Sequence, residues 1–199
     1  MGRFLFSSLD LPGHLDFGGL LETARILQEQ GHDVLWASSQ RLEELLSREN
    51  IRLATVPVAY DRAAELQTLA KLARAPKAPS REQGIARVIT ETLPIDLESL
   101  VSEPLVALAC YAHMKLIAEW RPDAVIAEPA TLPAALAAQA SRTPLAGCGY
   151  PGPYMVVPPS LEFEQVASKL YGRLDRVRKQ LGLSPLKRVA DPAVLFVAP

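Results

Sequence analysis

Cysteine, histidine and aromatic residues are scarce in this chain of 199 residues, with two cysteines, three histidines and 6 % Phe, Trp and Tyr. Cys110 and Cys148 stand in apolar surroundings without CxxC or Cys/His spacing. That pattern argues against a disulfide framework and predicts two buried, reduced thiols in a cytoplasmic protein. No HExxH, H-x₃-H or Cys/His cluster occurs, so the sequence supports no metal site. No run of about 18 apolar residues is present to form a bilayer-spanning helix. The opening run Met1-Gly2-Arg3-Phe4-Leu5-Phe6 is too short for a secretory signal. A net charge of −1 lacks the basic excess that nucleic acid or an anionic membrane would select. Walker A and G-x-S-x-G motifs are both missing, which argues against a P-loop site and a hydrolase elbow.

What is present is a core and an alternation. Hydrophobic residues make up 49 % of the chain, enough to bury a substantial interior. Arg3–Ser8 reads as a short strand ending in a turn built from Asp10, Pro12 and Gly13. Leu20, Leu21, Ala24 and Leu27 then mark one face of a helix over Gly18–Gln30, which Gly31 terminates in a left-handed cap. Val34-Leu35-Trp36-Ala37 has the unbroken apolar character of a buried parallel strand. Ser38 or Ser39 is placed to cap a helix over Gln40–Arg48, and Ile51–Val58 is strand-like. The pattern resumes with a helix over Leu100–Trp120, a strand Ala124–Ala127, an alanine-rich helix Leu132–Ala140 and a strand Pro144–Cys148. Alternation of this kind predicts an α/β fold, a Rossmann-like parallel sheet with helices on both faces. Tyr60–Pro94, with its proline- and charge-rich ARAPKAPSREQ, reads as a variable loop or lid. Leu161–Leu181 reads as a helix closed by Gly182, and Val194–Val197 as a last apolar run.

Ligands of open α/β sheets bind at the carboxyl ends of the strands. His14, Ser38, Glu128 and the Gly147–Pro153 loop fall there. The first βα turn, SSLDLPGHLDFGG, lacks the G-x-G-x-x-G spacing of a dinucleotide site and is flanked by Asp10 and Asp16, which repel phosphate. His14 admits two readings: a turn residue without a role, or a general base, for which a neutral imidazole at a helix start is suited. A base gains from a carboxylate on its other ring nitrogen. Asp16 is too close along the chain to serve easily, whereas Glu128 closes the apolar strand AVIAEPA. Glu128 also admits a structural role, as a helix cap or ion-pair partner. His32 follows the terminating glycine and is placed to bond the last carbonyls of that helix, and His113 on its apolar helix reads as a satisfied core or pocket-wall histidine.

Taken in order, Phe4-Leu5-Phe6, Pro12-Gly13-His14, the leucine/alanine helix and Gly31-His32-Asp33-Val34 resemble the opening of family 1 (UDP-glycosyltransferase-like) glycosyltransferases of the GT-B fold. There the pattern is strand, G-H-x-x-P, helix, G-H-x-V, strand. Pro122-Asp123-Ala124-Val125-Ile126-Ala127-Glu128 resembles the later P-D-hydrophobic strand that ends in an acid, and the resemblance runs from Gly2 to about Pro153. It implies transfer of a sugar from a nucleotide-diphosphate donor to an acceptor hydroxyl, with inversion and without a metal or other cofactor. His14 would deprotonate the acceptor and Glu128 would orient and charge-balance it. The N-terminal half of such enzymes holds the acceptor and the C-terminal half the donor.

Three departures accompany the resemblance. Phe17 replaces the proline of G-H-x-x-P, Glu128 replaces the commoner aspartate, and no H-C-G-x-x-S donor stretch appears. The expectation is one Rossmann-like acceptor-binding domain over residues 1–199, inactive alone and completed by a donor-binding domain or subunit. Phe17, Met114, Tyr150, Tyr154 and Phe163 are the candidate wall for an apolar small-molecule acceptor, because aromatic and thioether side chains suit a flat or bulky ligand. The rival expectation is a stand-alone Rossmann-like module that binds a ligand or partner without catalysis.

Overall fold

A computed structural model describes residues 1–16, 19–59, 70, 102–128, 131–148, 172–185 and 195–197. The strands are β1 (Arg3–Ser7), β2 (Asp33–Ser38), β3 (Arg52–Thr55), β4 (Ala124–Ala127), β5 (Leu145–Cys148) and β6 (Leu195–Val197). All pair in parallel, in the order β3-β2-β1-β4-β5-β6. This is the doubly wound order in which the chain starts centrally, moves outward to one edge, then returns to the other side of its first strand. The helices are α1 (Pro12–Asp16), α2 (Leu20–Glu29), α3 (Glu43–Arg48), α4 (Glu103–Trp120) and α5 (Leu132–Ala140), with a further helical stretch over 172–180. The expected α/β, Rossmann-like fold is the fold observed.

Alternation along the strands divides the interior between the two faces of the sheet. Phe6, Val34, Trp36 and Ile126 join Leu15, Leu20, Leu21 and Ala24 from α1 and α2, and Leu42 and Leu46 from the α3 region. Trp36 is fully buried and stacks on Phe6 with ring centroids 5.3 Å apart. On the other face Leu5, Leu35, Ala37, Val125 and Ala127 meet Ile117 of α4 and Ala134, Ala137 and Ala138 of α5. Buried residues of α4 recur at Val106, Ala109, Cys110, His113 and Ile117, a stripe at the helical period. Small alanines let α5 lie close against both α4 and the sheet. Cys110 is sealed in a third cluster with Leu136, Leu174 and Val177, and burial pushes its thiol up to about 12.

The amino ends of the strands are tied together by side chains. Asp123 accepts the Arg3 amide at 2.8 Å and returns its own amide to the Arg3 carbonyl, registering β4 against β1. His32 Nδ1 accepts the Gly2 amide at 2.9 Å, which secures β2 to the start of β1. The expected bond from His32 to the end of α2 is made by its backbone: the His32 amide donates to Leu27 and the Gly31 amide to Gln28. This pairing is a Schellman cap, and it needs Gly31 at its observed φ of 81°.

Boundaries differ from expectation mainly around the first turn. The segment read as a turn contains α1, and the next helix begins only at Leu20, after Gly19 at φ 74°. Pro12 suits the start of α1 because its missing N–H would have had no helical partner, and Leu15, 2 % exposed, anchors the turn in the core. The lid region Tyr60–Pro94, apart from residue 70, lies outside the described residues, as does most of the Leu161–Leu181 helix.

Gly31→Ala isolates the backbone requirement of the cap, since a Cβ at that position meets nothing within 4 Å. The expected loss is about 1 kcal/mol in urea unfolding, with an unchanged denaturant slope. An unaltered midpoint would contradict the strain argument.

Candidate active site

The site lies where the strand order reverses. β4 enters the sheet beside β1 rather than beside β3, so the connections leaving β1 and β4 diverge and open a crevice at their carboxyl ends. Glu128 is the first residue past β4 and its amide donates to the Ser7 carbonyl at 3.1 Å, continuing the β1–β4 ladder. Its carbonyl accepts the Thr131 amide at 2.9 Å, a turn that leads into α5. The carboxylate is thereby held at the mouth of the crevice, 6 % exposed.

His14 reaches it from α1. The imidazole Nδ1 is 3.0 Å from both carboxylate oxygens of Glu128, across 114 positions of sequence. A carboxylate can only accept, so Nδ1 carries the hydrogen and the ring's basic lone pair is on Nε2. Leu15 in the core and the His14 amide bonded to Leu11 fix the turn that presents the ring. The His14 side chain is 35 % exposed against 6 % for Glu128, so the pair has a buried acid and a solvent-reaching imidazole. The histidine lies inside a short helix rather than ahead of a long one. Its tautomer is set by the carboxylate, and no appeal to the dipole of α2 is needed.

A polar layer supports this end of the sheet. The Trp36 indole N–H donates to Ser8 Oγ at 3.0 Å, and Ser8 Oγ donates to the Leu9 carbonyl. Ser38 Oγ donates to the Ser8 carbonyl at 3.0 Å. Ser39 accepts the Arg41 amide, the capping role expected for one of these serines, and its hydroxyl donates to Asp10. Together these bonds hold the chain between β1 and α1 in place.

On the α4 face, His113 is 2 % exposed and both its ring nitrogens are engaged. Nδ1 donates to the Ala109 carbonyl at 2.8 Å, so Nε2 accepts from Ser7 Oγ at 3.0 Å. Burial holds this imidazole below its ordinary value, and the ring is neutral. Ser7, Ser8, Leu9, Ala37, Val56, Pro57, Val58, Ala59, His113, Thr131 and Pro133 surround a small pocket with room for about one water molecule. Ser7, Ser8, Ser38 and Thr131 were not singled out for chemistry from sequence, apart from Ser38 at its strand end. Their only signal is small polar residues at strand ends.

Among the candidate wall residues, Met114 is half-buried and packs against the α4–α5 core face. Phe17, Tyr150, Tyr154 and Phe163 lie outside the described residues. Among the described residues no group of three or more His, Cys, Asp or Glu is placed to hold a metal ion. No helix among them is long and apolar enough to cross a membrane.

No family model matches the sequence, and no curated protein matches it significantly. Solved structures do share its fold. The glycosyltransferase SsfS6 from Streptomyces sp. SF2575, complexed with thymidine diphosphate, superposes with a TM-score of 0.62 at 19 % identity, over 100 % of this chain and 50 % of that one. SnogD, a glycosyltransferase from Streptomyces nogalater, gives 0.60 at 16 % identity over 99 % of this chain and 44 % of its own. The spinosyn rhamnosyltransferase SpnG, complexed with thymidine diphosphate, gives 0.60 at 19 % over 98 % and 44 %. The chain has the fold of about half of each of these structures. At these identities the likeness is one of fold, and the chain spans about half the length of the structures it matches.

The neutral state of His113 has a measurable consequence. An unfolded histidine titrates near its ordinary value of 6.5, above the lowered native value, so the unfolded chain takes up the proton first on acidification. The contribution of the neutral ring to stability is full above that value. It falls as the pH drops toward the native one, by at most about 1.4 kcal/mol per pH unit. In His113→Gln this component is absent, so the gap in unfolding free energy between wild type and variant should narrow from about pH 7.5 to about pH 5.5. A gap independent of pH would contradict a buried neutral ring.

Proposed function

We propose that this chain is the acceptor-binding half of an inverting glycosyltransferase, inactive by itself. The observation that carries the reading is the His14–Glu128 pair, 3.0 Å apart at the point where the strand order reverses. With Nδ1 bonded to the carboxylate, Nε2 has the lone pair a general base requires. In the complete enzyme an acceptor hydroxyl delivers its proton to His14 Nε2 while its oxygen forms a bond to the anomeric carbon of the sugar. The bond from that carbon to the donor phosphate breaks on the opposite face, and the electron pair leaves with the nucleoside diphosphate. Glu128 holds the ring in its reactive tautomer and offsets the charge of the imidazolium, the work of the acid in a histidine–acid pair.

The nucleotide-diphosphate sugar is a substrate held mainly by a second half, outside this chain. Two longer structures with this fold were solved with thymidine diphosphate, which supports a nucleotide-diphosphate donor for the complete enzyme. We assign the acceptor to hydroxylated, largely apolar small molecules, on the aromatic and thioether residues expected near the pair.

In the full-length enzyme, His14→Ala should lower turnover by about 10²–10⁴-fold while leaving donor affinity unchanged. Glu128→Gln should act in the same direction, because a side-chain amide can donate to Nδ1 and shift the ring's hydrogen to Nε2. Near-normal turnover of His14→Ala would overturn the assignment. Calorimetric titration of the 199-residue chain with thymidine or uridine diphosphate should show no binding. Tight, saturable binding would place the nucleotide site in this half and overturn the division of labour.

A further inference from the structure

The pocket at the carboxyl end of β1 has room for about one water molecule, so its polar atoms decide what it holds. Four of its lining residues are buried and polar: Ser7, Ser8, His113 and Thr131. Two of these are engaged as both donor and acceptor. His113 donates from Nδ1 to the Ala109 carbonyl and accepts at Nε2 from Ser7 Oγ. The Ser8 hydroxyl accepts the Trp36 indole N–H and donates to the Leu9 carbonyl.

The other two are not. The single hydrogen of Ser7 Oγ goes to His113, and its lone pairs receive nothing from any described residue. Thr131 stands at the N-cap of α5, where a threonine hydroxyl commonly accepts an amide of the first turn, yet its side chain makes no such bond. Its hydroxyl lies 3.5 Å from the Ser7 carbonyl, well beyond the roughly 2.7 Å usual between hydrogen-bonded oxygens. Ser7 is 0 % exposed and Thr131 5 %, and a buried polar group left short of partners is costly. The same two residues hold Glu128 by its backbone. The Glu128 amide donates to the Ser7 carbonyl at 3.1 Å, and the Glu128 carbonyl accepts the Thr131 amide at 2.9 Å.

We propose that the pocket binds one ordered water, which donates a hydrogen to Ser7 Oγ and bonds Thr131 Oγ1, and that this water positions Glu128. Two hydroxyl partners meet the minimum for an internal water. Thr131 can donate to the water's oxygen or accept its second hydrogen, so the bridge forms with either orientation of the hydroxyl. Ser7, Glu128, Thr131 and the water then close a ring. The backbone of the acid forms one side of it and the two hydroxyls the other, and the Ser7–His113 bond ties the ring to α4. A turn braced in this way keeps the Glu128 carboxylate on His14 Nδ1. The catalytic meaning of that support rests on the role proposed for Glu128, whereas the water itself does not.

A crystal structure of the chain in which ordered waters are visible should show one water within about 3.2 Å of both Ser7 Oγ and Thr131 Oγ1. Thr131→Val keeps the shape of the side chain without its hydroxyl, and there the water should be lost. In Thr131→Ser it should be retained. Positioning is read from the ¹⁵N shifts of the His14 ring at alkaline pH, where the imidazole is neutral and the shifts report which nitrogen carries the hydrogen. Wild type and Thr131→Ser should hold it on Nδ1, and Thr131→Val should move part of the population to Nε2. Thr131→Ala takes the place of Thr131→Val if that variant fails to fold. A wild-type pocket without the water, a water that persists without the Thr131 hydroxyl, or a tautomer balance unchanged by its loss would each overturn the proposal. None of these readouts needs sugar transfer. Near-normal turnover of His14→Ala would sink the catalytic reading and leave the water and its effect on the ring standing.

Discussion

The whole arrangement depends on β1 being paired along both edges. β2 takes one edge and β4 the other, and Leu5, Phe6 and Ser7 are fully buried between layers on the two faces. A strand in that position leaves the sheet through one exit only, its carboxyl end. The chain that emerges there carries Ser8, Leu9 and then α1, while β4 delivers Glu128 from the neighbouring track. The meeting of a histidine and an acid far apart in sequence thus follows from parallel register. Moving the β1–β4 pairing by one residue would carry the acid to the other face of the sheet.

The two ends of the sheet solve different problems with similar residues. At the amino end His32 and Asp123 accept backbone amides of Gly2 and Arg3, so a histidine and an acid serve there as clasps. At the carboxyl end His14 bonds the buried Glu128 and remains within reach of solvent, while His113 is enclosed and electrically neutral. The three histidines differ in what surrounds them, and each local environment comes from its position relative to β1. Two of the motifs behind the family resemblance, G-H-x-V and P-D, are explained here by strand attachment.

Much of this could be read from the amino acids. β4 and α5 occur at their expected bounds because a strand buried on both faces must be an unbroken apolar run, and because Arg121-Pro122-Asp123 interrupts helix propagation. The pairing of Glu128 with His14 was also accessible, since both sit at strand ends that a doubly wound sheet brings together. α1 was not: five residues are too few to display a helical period, and the turn forms because Pro12 and Leu15 suit it. The Ser7–His113 bond was equally hidden, as it spans 106 positions and joins two residues whose types are ordinary for a strand end and a helix face. Met114 shows the ambiguity of a sulfur-bearing residue on an apolar helix, where packing and ligand contact leave the same signature.

The strand order also sets a timetable for biosynthesis. Chains emerge amino end first, and β2 follows β1 after a short helical connection, so one edge of the central strand is satisfied early. Its other edge waits for Ala124–Ala127. At typical elongation rates that interval is on the order of ten seconds. Throughout it an apolar strand displays unpaired amides and carbonyls, the template on which chains join one another edge to edge. A sheet that begins at its own centre must therefore be guarded while it is made, and ribosome-bound chains halted before β4 are the species most in need of a chaperone.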